Sequence, residues 1–171
     1  MNQPYYLTSP ATDYCEAFRN MVSDYIRAGE DIYINLYQPA LENFSQYIRA
    51  LEHYATGRKL PPRENPHSTF WLTDPGGRIY GNIRIRYKAL PMYGNIGYDI
   101  RPSCRGRGLG TLILRLGLEK ARELDLHRIK IACDEKNVPS VRVIERNGGI
   151  FMERLYDRKT RLFVKRYYID L

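Results

Sequence analysis

The residues best suited to chemistry form a short run, Arg105-Gly106-Arg107-Gly108-Leu109-Gly110-Thr111. Before it reads a strand that ends at Pro102. After it, Leu109, Leu112, Ile113, Leu116, Ala121 and Leu124 recur at helical spacing, so a helix begins near Gly108. The start of a helix leaves backbone N–H groups unpaired and carries partial positive charge, which attracts anions. Glycines let that backbone approach a diphosphate closely, and Arg105 and Arg107 add charge. The same residues also read as a plain strand-to-helix turn. Two nucleotide patterns fail: no Gly-Lys-Ser/Thr follows the glycines, and the third glycine of a dinucleotide fingerprint falls on Thr111.

The distribution of charge agrees with a local anion site. The 171 residues carry 27 Lys and Arg against 19 Asp and Glu, a formal charge of +8. Residues 1–50 hold three basic and six acidic side chains, whereas residues 101–130 hold eight basic and three acidic. A nucleic-acid-binding surface would spread its excess differently. Cys15, Cys104 and Cys133 are far apart, which suggests neither a disulfide framework nor a zinc site. The start, MNQPYYLTSP, lacks a signal-peptide layout, and no apolar run approaches a membrane span. These features predict a cytoplasmic protein with no membrane or nucleic-acid partner and no metal. The length predicts one domain over residues 1–171.

The elements that must position the run follow from period. Residues 4–8 read as a short strand. Ala17, Phe18, Met21, Val22, Tyr25 and Ile26 define a helix ended by Gly29, and a second helix is expected from Ala40 to Tyr54. The segment between them, GEDIYINLYQP, reads as an acidic, aromatic loop, and Gly57 to Pro66 as linker-like. Strands follow at Thr69–Thr73, Ile79–Tyr87 and Asn95–Arg101, the first two joined at Pro75-Gly76-Gly77. Beyond the glycine run come a strand at Arg128–Cys133, a helix at Pro139–Asn147, and a hairpin of Ile150–Tyr156 with Leu162–Ile169. The predicted order is β-α-α-β-β-β-α-β-α-β-β, a mixed α/β sheet.

The stretch IGYDIRPSCRGRGLG resembles the strand–loop–helix signature of the GCN5-related N-acetyltransferase (GNAT) superfamily, with its Q/R-x-x-G-x-G/A loop. CDEKNVPSVRVIERNGG resembles the next strand and helix of the same superfamily, and RLFVKRYYIDL the last strand of one uncharacterised bacterial subgroup. The close match covers residues 94–149. It implies a twisted, mostly antiparallel sheet and transfer of an acetyl group from acetyl-CoA to an amine. The acceptor is a small molecule or a protein amine, and the assembly a monomer or a homodimer.

The resemblance also assigns roles. Arg105, Gly106, Arg107, Gly108, Leu109, Gly110 and Thr111 would hold the pyrophosphate. The main chain of Tyr98, Ile100 and Arg101 would pair with pantetheine, and the Tyr98 N–H would polarise the thioester carbonyl. Asn137 matches the residue that bonds the pantetheine arm, and reads equally as an N-cap. Many relatives carry a Tyr acid where this chain has Ile144, so Ser140 is the candidate acid and a further contact to the cofactor. Asp99 is the candidate base, although alternation places it on the opposite face from Tyr98. Glu30 and Asp31 would recognise a cationic amine. The missing Tyr keeps open an acetyl-CoA-binding sensor with little turnover.

Overall fold

The computed structural model describes residues 4–62 and 64–171. The short strand β1 (Tyr6–Thr8) leads through a turn into three helices, α1 (Cys15–Ala28), α2 (Asp31–Glu42) and α3 (Phe44–Thr56). Strands β2 (His67–Thr73), β3 (Ile79–Leu90) and β4 (Gly94–Ile100) follow, then α4 (Leu109–Glu123), β5 (Arg128–Asp134), α5 (Val138–Arg146), β6 (Ile150–Asp157) and β7 (Leu162–Asp170). Seven strands form one open sheet in the order β1-β2-β3-β4-β5-β7-β6. Of the linker-like stretch 57–66, Arg63 lies outside the described residues, as do residues 1–3 at the start of the chain.

The element order matches the sequence reading except in one place. The loop expected between the first two helices is α2 itself, and the following helix begins at Phe44 rather than Ala40. Tyr33, Tyr37, Ala40 and Leu41 recur at helical spacing and turn toward α1, where Tyr37 and Ala40 are fully buried. That burial outweighs Pro39, whose ring and missing N–H cost the preceding turn one helical bond. Asn43 then ends α2 and caps α3, its Oδ1 accepting from the Gln46 N–H at 3.0 Å.

A core lies on each face of the sheet. Phe18, Met21, Val22, Tyr25, Tyr37, Phe44 and Trp71 fill the space under α1–α3. Ile83, Ile85, Ile96, Ile113, Leu114 and Ile131 do so under α4 and α5. Between these layers, β4 and β5 part company. Their one residue pair is Gly94 opposite Ile131, whereas β5 pairs with β7 along its whole length. At Gly94, φ is +75°, and a Cβ would lie 2.1 Å from the Lys130 carbonyl oxygen, so only glycine permits the contact. Asn95 completes this hinge: its Oδ1 accepts from the Lys130 N–H and its Nδ2 donates to the Arg86 carbonyl.

Candidate active site

Beyond Gly94, β4 has a free edge. Its register with β3 pairs Asp99 with Asn82, Tyr98 with Ile83 and Ile100 with Gly81. Antiparallel pairs alternate between hydrogen-bonded and open. The Arg101 N–H donates to the Tyr80 carbonyl at 2.9 Å, which places the odd-numbered residues of β4 in the bonded set. Tyr98 and Ile100 therefore aim their main-chain groups away from β3, into the gap beside β5. The Ile100 carbonyl confirms the direction by accepting from Arg105 Nε at 2.8 Å.

The gap opens into a cavity of about 660 Å³ bordered by Tyr98, Asp99, Ile100, the glycine run, Asn137 and Ser140. At its floor the N-terminus of α4 points inward. The first helical bond runs from the Leu112 N–H to the Gly108 carbonyl, so the N–H groups of Leu109, Gly110 and Thr111 remain for an anion. Gly108 sits at the cap with φ +77°, and nothing stands within 4 Å of where its Cβ would be. Arg142 and Arg146 flank this cradle from α5. Such a floor fits a diphosphate: unpaired N–H groups, open space and two guanidiniums.

Some expected contacts fall elsewhere. Arg105 is not free for phosphate, because it forks onto Glu30 (Nη1–Oε1 2.6 Å, Nη2–Oε2 2.8 Å) while bonding Ile100. Glu30 is thereby neutralised and unsuited to recognising a cationic amine. Asp31 is exposed at the start of α2 and does not border the cavity. Arg107 is likewise exposed and outside the lining, and the Leu109 side chain is buried in the core, leaving only its N–H.

Arg101 turns to the opposite face and does not reach the cofactor gap. There its Nε bonds Asp24 Oδ2 at 2.5 Å and Nη1 the Ile79 carbonyl, both buried, while Nη2 reaches the exposed Asn20. Burial pushes the Asp24 carboxyl up, but hydrogen bonds from Arg101, Ser103 and Arg27 outweigh it and hold the group well below the usual carboxylate range. This is structural, not catalytic, chemistry.

The candidate acid and base also acquire surroundings. Asn137 Oδ1 accepts from the Ser140 N–H at 3.1 Å, so Asn137 caps α5 while bordering the cavity. Beside Ser140 stands the Tyr98 phenol, whose Oη is buried without a partner in hydrogen-bond geometry. Burial raises that phenol to about 12, partly offset by the Ser140 hydroxyl. Sequence reasoning assigned Tyr98 only its backbone. Ile144 is fully buried in the core, so the usual Tyr position offers no proton. Cys133 is half-buried, and burial raises its thiol to about 11, consistent with a packing role. Asp99 is enclosed on the far face, where Tyr25 Oη donates to Oδ1 and Tyr37 Oη to Oδ2 at 2.7 Å. Burial raises its pKa, and those bonds with Arg84 and Arg105 oppose the rise.

A splayed β4–β5 pair beside an unpaired helix start is a site geometry that suits an acyltransferase. The acetyltransferase (GNAT) domain family matches residues 12–150, and the chain belongs to that family. No functionally curated protein matches it. Among solved structures, a GNAT-family acetyltransferase from Bacillus anthracis is 23% identical, with a TM-score of 0.52. That match covers 60% of this chain and 65% of the other. Mycobacterium smegmatis RimJ, bound to a coenzyme A disulfide, is 18% identical over 96% of this chain and 80% of its own, with a TM-score of 0.73. RimL, a ribosomal L7/L12 alpha-N-protein acetyltransferase in complex with coenzyme A, is 15% identical over 100% and 96%, with a TM-score of 0.74. The protein is an acyltransferase of the GNAT fold.

Proposed function

We propose that the protein, as one acetyltransferase domain, moves the acetyl group of acetyl-CoA to a primary amine by direct attack in a ternary complex. The observation that carries this reading is the free edge of β4 at Tyr98 and Ile100 opening into the same cavity as the α4 cradle. The N–H groups of Leu109, Gly110 and Thr111, with Arg142 and Arg146, bind the diphosphate. Ile100 and the Asn137 amide orient the pantetheine arm. The thioester brought by the cosubstrate supplies the acyl group.

Tyr98 N–H donates to the thioester oxygen as the amine nitrogen attacks the carbonyl carbon and charge grows on oxygen. Holding both reactants in one cavity removes much of the entropic barrier. When the C–S bond breaks, the Ser140 hydroxyl gives its proton to sulfur, the Tyr98 phenol behind it returns one to Ser140, and the phenolate regains a proton from solvent as the products leave. Asp99 acts at one remove. Its oxygens are held by Tyr25 and Tyr37, so it is a positioning residue, and the amine proton passes to solvent.

Acetyl-CoA is expected to raise the melting temperature by several degrees, and an amine panel to release free thiol. Absence of any stabilisation overturns the reading. Stabilisation with no turnover on any amine instead supports an acetyl-CoA sensor, the reading favoured by Ile144 and by the enclosed Asp99.

A further inference from the structure

The face of the sheet under α1–α3 carries two arginines that the mechanism does not use. Arg84 and Arg86 lie two residues apart on β3, about 7 Å along the strand. Alternation puts both on the side that bears Asn82, Gly97 and Asp99. Among the described residues neither guanidinium forms an ion pair, and Arg84 Nε is buried without a hydrogen-bond partner. The carboxylate whose charge reaches Arg84 is Asp99, and both its oxygens are taken by tyrosines. Two half-buried like charges in contact with each other's field are costly unless an anion joins them. Burial and the Arg84 charge both lower the proton affinity of Arg86.

The pair lies next to the reaction site without lining its cavity. Gly97, opposite Arg84 in the register, is half-exposed and precedes Tyr98, which borders the cavity. Arg86 Nη1 is 3.7 Å from where a Gly97 Cβ would stand, so the missing side chain leaves room beside the guanidinium on this face. Tyr47 stands over the same face, close enough to Arg84 to feel its charge. His67, opposite Arg86, is held neutral by burial, at about 4, and adds no third cation.

We infer that Arg84 and Arg86 form the recognition site for an acceptor whose amine is accompanied by a carboxylate or phosphate group. A guanidinium fork meets either anion through two parallel bonds. The inference rests on the acetyltransferase reading above and deepens it by giving the acceptor class. Polyamines, which carry only positive charge, are then poor acceptors.

The test uses matched amines with acetyl-CoA and thiol detection: alanine against alaninamide, and phosphoethanolamine against ethanolamine, with spermidine as the polyamine. In at least one pair the anionic member is expected to be the better substrate by about tenfold or more in kcat/KM. The pair that shows the preference distinguishes carboxylate from phosphate. Arg84→Gln and Arg86→Gln should each erase that preference while acetyl-CoA still raises the melting temperature as in the parent, which reports a folded, loaded protein. The inference is overturned by equal rates within both pairs, by spermidine as the best of the five, by no turnover of any anionic amine, or by a preference that survives both substitutions. Since acetyl-CoA stabilisation is read separately, its loss in the parent protein would sink the acetyltransferase reading instead.

Discussion

At the scale of single residues, the proton source for the leaving sulfur is the point where structure adds most. Ser140 was legible from its place after Asn137. The Tyr98 phenol was not, because its position on β4 advertises a backbone role, and only the packing of α5 on α4 and β5 brings Ser140 beside its buried Oη. If the two hydroxyls work in series, Tyr98→Phe and Ser140→Ala should each lower kcat, by roughly 10²-fold, with KM for acetyl-CoA unchanged. The double variant should be no worse than the weaker single one. Additive losses would separate the two groups. Since burial holds the phenol near 12, it stays protonated at neutral pH, and no fall in kcat from its ionisation is expected below about pH 11. Glu30 and Arg105 illustrate the opposite case. Each looked functional alone, and they are 75 positions apart, so nothing local in the chain shows that they neutralise one another.

Among the elements, α4 and the β4–β5 gap carry the site, and both depend on glycine. The loop signature around Gly108 was readable because a left-handed cap followed by an apolar helix leaves a local pattern. Gly108→Val should cost about 1–2 kcal/mol in stability through its φ of +77°. It should also raise KM for acetyl-CoA by at least tenfold, because the new side chain occupies the open cradle. A variant that unfolds less but binds normally would remove the cradle from the argument. Gly94 and Asn95 had no such signature. Their meaning comes from Lys130, a residue from another strand, whose carbonyl and N–H they meet. The helix α2 was misread for a related reason. Pro39 and the acidic residues of its first turn look like loop signals, whereas burial of Tyr37 against α1 and Phe18 is a tertiary gain.

Across the whole molecule, the end of β4 is tied to α1 through Arg101 and Asp24, a buried pair. Arg101→Met leaves the Asp24 charge buried with fewer partners and should destabilise the fold by about 3–5 kcal/mol, measured by denaturant unfolding. If the residue instead served the cofactor, stability would hold and KM for acetyl-CoA would rise. The net charge of +8 also changes meaning at this scale. Its share near the glycine run is not all unpaired: Arg105 lines the cavity but is spent on Glu30, and Arg142 and Arg146 from α5 border the cradle as well. By itself, the sequence determined the order of strands and most helices, the glycine turn that opens α4 and the family, because period, caps and a contiguous motif are local properties of a chain. The tertiary structure alone decided which charges remain available, which hydroxyl stands beside Ser140, and where β4 and β5 separate. Those outcomes depend on pairs of distant residues competing for the same partner, and a one-dimensional pattern does not record which partner each one meets.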